Sequence, residues 1–574
     1  MMTIRLFCAL ILALALTAGC STVQQVLTFK GQGHRNQVAL IAINDVYRIN
    51  GIQQGEEGSL ARVRALRLQL QKDYSVVPVF LAGDFLSPSL LGRTYRGAHM
   101  IEVLNALDGR PKDFDPTLFV TFGNHEFDVG SCNQPAELIQ RVGESDFVWL
   151  ASNLNFDQTG GPRPSQCDLS PLGQMSQIRL TPELIELDGM KLGLFSITLN
   201  FEKGDVARYP RVEDYAEATR RAVKSLKDAG AEFTIALTHL PKAEDRKLAG
   251  LDLGPDLILG GHEHYCMAFP HDAPRVFKAD ADALSAHILV IGRSQVGDVQ
   301  LISSENRRLD VRTPKDKDTN RLTKNWLSKH AVATCGDAQC LDAPIGFIRD
   351  RLEAEELKNK TQETQFGNWL ADVARRAQKV NRAEAALMNA GSFALNYDLA
   401  AGAVLSRRQI EELIRFDPSY LTTVELTGAQ LWQAVEHMLA RRGSGAWAHS
   451  SGLHITVMQG QDTKPKLTGL ELVRPDGQRL ALGPESRIQV RLATNTYLAC
   501  NGDGYELQAI SLDLRNCMAN AAANLDVNAP SDNMKVAILS TLRNARSVGV
   551  TFPKADRIEG LDPLSDPDAC KEKF

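Results

Sequence analysis

Five short apolar runs in the N-terminal half of the chain each finish in a side chain that can hold a metal ion. Residues 38–43 end at Asn44-Asp45, and residues 76–82 end at Gly83-Asp84. Residues 118–122 end at Gly123-Asn124-His125-Glu126-Phe127-Asp128. Residues 233–238 end at His239, and residues 257–259 end at Gly260-Gly261-His262-Glu263-His264. Carboxylate, amide and imidazole groups suit divalent ions such as Mn, Fe, Zn, Co or Mg, and the lack of thiolate argues against a soft-metal site. Two such ions about 3.5–4 Å apart, sharing one carboxylate, can clamp the entering and leaving oxygens of an in-line displacement. One histidine at a strand end is ordinarily structural. Five such ends in sequence order point to one centre.

The elements that must position these ends are legible as well. Near-continuous apolar runs suit strands buried on both faces, and ligands gather beyond the C-terminal ends of strands in α/β sheets. Residues 60–74 have the apolar spacing of a crossover helix. At 574 residues the chain exceeds one core, and 44% hydrophobic with 23% charged residues is a globular composition. A net charge of −5 gives no footprint for a nucleic-acid polymer, so an anionic substrate needs local cations.

The first twenty residues read as an address. Arg5 precedes an apolar run, residues 6–16, too short to span a bilayer, and Thr17-Ala18-Gly19-Cys20 follows. That tetrapeptide resembles the lipobox of bacterial lipoproteins, although the usual Leu stands one place early, at Leu16. The resemblance implies acylation of Cys20, a lipid anchor in the cell envelope and, through Ser21, outer-membrane sorting. Residues 21–36 are then a polar tether. Eight further cysteines form an even set for an oxidising compartment. Cys335 with Cys340, Cys500 with Cys517 and Cys132 with Cys167 are close enough to pair, and the connectivity stays open.

The motif at residues 123–128, with Gly83-Asp84, Thr238-His239 and Gly261-His262-Glu263-His264, resembles the 5′-nucleotidase family of calcineurin-like metallophosphoesterases. The likeness spans residues 37 to about 530 and implies a four-layer α/β/β/α metallophosphoesterase sandwich followed by an α/β substrate domain. The chain then divides into residues 37–305, a linker over 306–364 with a helix at 352–364, and a C-terminal domain over 365–560. By this resemblance Asp84 bridges two metal ions, Asn124, His239 and His262 complete one, and Asp45 and His264 hold the other. His125 steadies the phosphoryl oxygens and Asp128 fixes its tautomer. Glu126 and Glu263 are expected to be solvated or to stand behind the ligands.

The sequence departs from the family twice. Where the family has Asp-x-His, this chain has Asp45-Val46-Tyr47. A ligating phenolate favours ferric iron; the alternative is a tyrosine hydrogen-bonded behind the ligands. In the C-terminal domain, residues 365–372, 387–391, 426–431 and Asn501-Gly502-Asp503-Gly504-Tyr505 resemble the family, but the expected Asn-Gly-Gly-x-Arg reads Asn389-Ala390-Gly391-Ser392-Phe393-Ala394. The phosphate-gripping arginine is thus missing, with Arg407, Arg408 and Arg415 as candidate replacements. Tyr497 and Trp447 stand near the positions of the aromatics that sandwich a base, core packing being the other role open to both. Asp503 is placed to take ribose hydroxyls, and Asn389 and Gly391 to line the substrate site. The expectation is hydrolysis of 5′-nucleotides or related phosphate esters. Cyclic nucleotides, nucleotide-sugars or another oxyanion ester form a second reading, and a non-catalytic binder on the same fold a third. Oligomeric state has no signature.

Overall fold

The computed structural model describes residues 24–29, 36–129, 135–157, 168–200, 210–270, 273, 275–377, 382–393, 395–459, 464–507, 514–523, 532–545, 548–562, 564 and 568–570. Cys20, Cys132, Cys167 and Ala394, on which sequence expectations fall, lie outside them.

Alternation along single strands builds the N-terminal domain. In Gln37–Ile43 the side chains of Val38, Leu40 and Ala42 enter one apolar cluster, whereas Ile41 and Ile43 enter another on the opposite face. The first cluster lies between two seven-stranded sheets. One sheet runs in the order Val299–Arg308, Ser285–Arg293, Gln37–Ile43, Val79–Leu81, Asp115–Thr121, Phe147–Leu150, Ile178–Arg179. The other runs Gln24–Phe29, Glu183–Leu187, Met190–Thr198, Phe233–His239, Leu257–Gly260, Val276–Lys278, Met267–Phe269. Helices Leu60–Leu70 and Ala98–Asn105 cover the outer face of the first sheet, and Tyr215–Asp228 and Lys242–Ala249 that of the second. The result is the four-layer α/β/β/α sandwich. Arg67 ties its helix to the sheet edge, donating to Asp115 Oδ2 at 2.6 Å, to Thr117 Oγ1 at 2.6 Å and to the Val77 carbonyl at 3.0 Å.

The five metal-bearing ends come from two sheets. Gln37–Ile43, Val79–Leu81 and Asp115–Thr121 are parallel neighbours in one, and Phe233–His239 and Leu257–Gly260 in the other. All five therefore deliver their C-terminal ends to the same rim of the sandwich.

The C-terminal domain has a four-stranded sheet in the order Leu421–Thr427, Gln489–Asn495, Ala385–Asn389, Ala448–Ser451. A second holds Arg479–Leu482, Lys466–Val473, Leu453–Met458 and Ile558–Glu559. Helices Gln365–Ala377 and Gly428–Ala440 pack on them, the latter opened by a reciprocal cap between Thr427 and Gln430.

Local expectations change at three places. Gln24–Phe29, read as tether, pairs in parallel with Glu183–Leu187 as an edge strand; Val26, Leu27, Thr28 and Phe29 are good strand formers. The stretch read as a linker helix carries only the six-residue Glu356–Thr361. The long helix is instead Lys317–Cys335, started by Asp316 accepting from the Thr319 amide and stopped by Gly336 at φ 81°. Two of the pairings left open by the sequence are present, Cys335–Cys340 and Cys500–Cys517. A third, Cys266–Cys570, returns the end of the chain to the metal-bearing domain. Among the described residues no helix is long and apolar enough to cross a membrane.

His99, fully buried beside Trp326, has no hydrogen-bond partner for either ring nitrogen. Burial, reinforced by the charges of His330 and Arg141, pushes it down to about 3. A histidine held neutral by the fold contributes nothing adverse above its unfolded value of about 6.5. Below that pH the unfolded chain takes up a proton that the folded chain refuses, so stability falls by roughly 2 kcal/mol at pH 5. His99→Leu is expected to raise the thermal midpoint more at pH 5 than at pH 8. An equal shift at both pH values would refute this account.

Candidate metal centre

Four of the six candidate ligands adopt a backbone conformation that side chains rarely accept: Asp45 at φ 52°, Asp84 at 56°, His262 at 91° and His264 at 71°. Such strain persists only where the surroundings over-determine it, and it concentrates at functional sites. Here the strand ends lock one another. The Asp45 amide donates to the Gly83 carbonyl at 3.1 Å, the His262 amide to Asp45 Oδ2 at 2.9 Å and the His125 amide to Asp84 Oδ1 at 2.9 Å. A Cβ on Gly123 would stand 2.1 Å from Asp84 Oδ1, so only glycine lets the two ends meet.

The strand ends converge. Asp45, Asp84 and His264 present ligand atoms within 4.8 Å of one another. His264 Nε2 lies 3.4 Å from Asp45 Oδ1, and His239 Nε2 lies 3.2 Å from Asp84 Oδ2. The His239 and His262 rings meet edge to face at 5.3 Å. The Nδ1 of His239 faces the Ala82 carbonyl at 2.7 Å; a carbonyl only accepts, so Nδ1 carries a proton and Nε2 is the atom turned towards the carboxylates. Asn124 Oδ1 is buried with no hydrogen-bond partner, and the buried His239 Nε2 faces the Asp84 carboxylate. Buried acceptors without donors, next to carboxylates, are what a cation would satisfy.

The charges agree. Burial opposes ionisation of Asp84, but His239 and His125 outweigh it and hold its carboxyl well below the usual range. Burial also opposes a proton on His239, yet Asp84 and Asp45 push it up to about 10. The carboxylates that draw this proton would equally draw a metal ion, which displaces it. Burial, then the neighbouring His239 and Lys278, keeps His262 neutral.

Tyr47 points into the ligand set. Its hydroxyl lies 3.0 Å from His264 Nε2, 3.2 Å from Asp84 Oδ2 and 3.5 Å from Asp45 Oδ1. Burial, with the charges of Asp84 and Asp45, holds it a neutral phenol. His125 stands at the opening: Nδ1 is 2.5 Å from Asp128 Oδ2 and Nε2 is 4.0 Å from Asp84 Oδ2. Burial lowers its proton affinity, but Asp128 and Asp84 raise it to about 9.

Of the two roles open to the glutamates of these motifs, both take the one behind the ligands. Glu126 is fully buried and accepts from the amides of Gly123, Asp84, Phe85 and Leu86. Glu263 accepts from Lys278 Nζ at 2.5 Å, and Lys278 also grips Asp245 at 2.7 Å and the Gly261 carbonyl at 2.8 Å.

In the C-terminal domain Tyr497, Asp503 and Asn389 do meet. The Tyr497 hydroxyl donates to Asp503 Oδ1 at 2.7 Å, and Asn389 Nδ2 to Asp503 Oδ2 at 3.0 Å. Trp447 does not join them: it is fully buried in the apolar core with Leu431, Val435 and Tyr505, and it offers no face to a base. Gly391 serves a close backbone approach, its amide donating to the Gly445 carbonyl at 2.9 Å. Of the three candidate arginines, Arg407 pairs with Glu411 and Arg408 with Asp342, whereas Arg415 lies 5.5 Å over the Tyr47 ring. Three residues absent from the sequence reading of the site also reach it: Glu356 accepts from His264 Nδ1 at 2.8 Å, half-exposed Phe416 lies 6.1 Å from the His125 ring, and Arg93 of the metal-bearing domain binds the backbone around Arg415. All three act across the domain boundary or beside it, where spacing within a motif carries no signal.

Comparison with known proteins matches this architecture in two parts. The calcineurin-like phosphoesterase family model matches residues 39–266, and that of the 5′-nucleotidase C-terminal domain matches residues 344–510. The trifunctional nucleotide phosphoesterase protein YfkN of Bacillus subtilis is 24% identical over 463 residues, covering 74% of this chain but 30% of that protein. The snake venom 5′-nucleotidase of Gloydius brevicauda is 21% identical over 542 residues, 87% of this chain and 86% of the relative. The solved structure of a 5′-nucleotidase precursor from Thermus thermophilus shares the fold at TM-score 0.71 and 19% identity, over 91% of this chain and 99% of that one. With the metal-ligand cluster at one rim of the sandwich and the second domain closing over it, the chain belongs to the calcineurin-like phosphoesterases that carry a 5′-nucleotidase C-terminal domain, metal-dependent hydrolases of phosphate esters.

Proposed function

We propose that the protein is a two-metal phosphomonoesterase of 5′-nucleotides, anchored in the cell envelope by a lipid on Cys20. The observation that supports this most is the buried, unpartnered acceptor Asn124 Oδ1, with His239 Nε2 facing Asp84, beside the Asp45–Asp84–His264 cluster. Asp45 and His264 would hold one ion, with the Tyr47 hydroxyl hydrogen-bonded beside them; Asn124, His239 and His262 would hold the other, and Asp84 would serve both. When bound, such ions polarise a phosphoryl group and supply a nucleophile at neutral pH. The remaining work falls to the chain. His125, oriented by Asp128, donates to the phosphoryl oxygens as charge builds on them. Arg415 supplies the cation that residue 394 lacks, and half-exposed Phe416 offers an apolar ring beside His125. Tyr497, Asp503 and Asn389 form a polar set suited to sugar hydroxyls.

The test is phosphate release from nucleoside 5′-monophosphates with Mn or Co added, beside cyclic nucleotides and nucleotide-sugars. Asn124→Ala is expected to lose metal and activity together, and Arg415→Ala to raise KM more than it lowers kcat. Equal turnover by wild type and Asn124→Ala would refute the metal assignment, and fast turnover of another ester beside inert mononucleotides would replace the substrate. The anchor is checked by fractionation: Cys20→Ala is expected to free the protein from membranes, and unchanged membrane association would remove the lipid from the account.

A further inference from the structure

The acceptor that orients metal ligand His264 does not belong to the metal-bearing domain. Glu356, the first residue of helix Glu356–Thr361, reaches across the domain boundary, and its Oε1 accepts from His264 Nδ1 at 2.8 Å. The same oxygen is gripped by Arg415 at 3.0 Å and Lys360 at 2.8 Å, so the buried carboxylate is paired with two cations. With its Nδ1 proton committed to Glu356, His264 turns the lone pair of Nε2 towards Asp45 and Asp84.

Other contacts hold the two domains in the arrangement that makes this bond. Arg93 of the metal-bearing domain donates to the carbonyls of Glu411 at 3.0 Å, Ile414 at 2.6 Å and Arg415 at 3.1 Å, where helix Arg407–Leu413 ends. Arg48, anchored on Asp282, donates to the Leu395 carbonyl at 3.2 Å. Arg415 thereby has its backbone held by Arg93 while its guanidinium holds Glu356. The chain of contacts runs from a surface of one domain, through the other domain, and back to a ligand of the first.

We infer that Glu356 is a positioning residue of the metal centre, contributed by the C-terminal domain, and that metal retention and domain docking are one coupled equilibrium. Docking supplies the acceptor that fixes His264, so docking tightens the metal; by reciprocity the metal favours docking by the same factor. The inference rests on the metal centre proposed above.

The experiment uses the full-length, metal-loaded protein titrated with a chelator, with retained metal read by elemental analysis and interdomain protection by hydrogen exchange. Loss of an acceptor behind a metal-bound histidine ordinarily weakens metal affinity about 10–100-fold. Glu356→Ala is expected to release metal at about 100-fold lower chelator, and Glu356→Gln, which keeps an acceptor but loses the charge, at about tenfold lower. Arg93→Ala, remote from every ligand, is expected to lower metal retention and to expose the backbone around residues 411–415. Lys358→Ala, on the same helix but paired with Glu353, Glu355 and Asp398 rather than with Glu356, serves as the control and is expected to resemble wild type. Should Glu356→Ala fail to fold, Glu356→Gln carries the test. Wild-type retention in the Glu356 variants overturns the positioning role, and wild-type retention in an undocked Arg93→Ala overturns the coupling. A wild-type protein that retains no metal overturns the centre itself and this inference with it.

Discussion

Replacing His125 with alanine is expected to lower kcat about 10²- to 10³-fold while leaving metal content unchanged. His125 differs from the residues around it in one respect. Its backbone, not its ring, is tied into the strand ends, the amide donating to Asp84 Oδ1 at 2.9 Å. The ring is oriented from outside the cluster by Asp128 at 2.5 Å, lies edge-on to the Tyr47 ring at 6.3 Å, and keeps its Nε2 4.0 Å from Asp84. Alanine keeps the amide bond that supports Asp84 and removes only the donor aimed at the opening. A donor preorganised for charge that develops in the transition state acts on kcat rather than on KM. Metal lost in parallel with activity would make His125 a ligand and overturn the assignment. Asp128→Asn supplies the pH signature. Asp128 helps hold the His125 proton up to about 9, so a protonated donor persists until pH rises through that value. Without the aspartate charge the proton leaves sooner, and the alkaline limb of the pH–rate profile is expected at lower pH than in wild type.

The metal-bearing half was legible because its information is local. Each ligand stands directly after an apolar run, and glycine at residues 83 and 123 marks where two chain ends come within contact distance. The five ends needed only parallel strands sharing one rim, which the alternation of strands and helices already implies. What was not legible is non-local or depends on burial. Trp447 stands in a stretch, residues 446–448, whose side chains are all buried, and a tryptophan packed in the core just before a strand has the same sequence appearance as one that stacks on a base. Arg415 is told from Arg407 and Arg408 only by its distant partners: all three flank or open one short helix with acidic residues near by, but Arg415 pairs with Glu356 and lies over the Tyr47 ring. Glu356 lay inside the region read as linker, where an acidic residue among lysines is ordinarily solvated. The strand Gln24–Phe29 was hidden by the polar residues that flank it. In each case the missing quantity was a partner distant in sequence.

Glu126→Gln is expected to be the most damaging isosteric change near the centre, although Glu126 touches neither ligand side chains nor substrate. Its two oxygens divide four amides between them. Oε2 accepts from Gly123 at 2.6 Å and Asp84 at 2.9 Å, and Oε1 from Phe85 at 2.7 Å and Leu86 at 3.2 Å. A glutamine has one oxygen, so its NH₂ group must face two backbone donors whichever way the amide turns. Each buried N–H left without an acceptor costs about 1–3 kcal/mol, or roughly 2–6 kcal/mol for the pair. The affected amides belong to the turns that carry Asp84 and Asn124, so the strain falls on the ligands themselves. The expected result is a lower thermal midpoint, loss of metal at chelator concentrations that wild type withstands, and a loss of turnover towards about 100-fold. Glu263→Gln is the matched comparison: Lys278 would still be held by Asp245 and by the carbonyls of Leu240 and Gly261, so a smaller effect is expected. A Glu126→Gln protein with wild-type midpoint and metal content would show that the four-amide cradle is incidental, and that the strained backbone at Asp84 is set elsewhere.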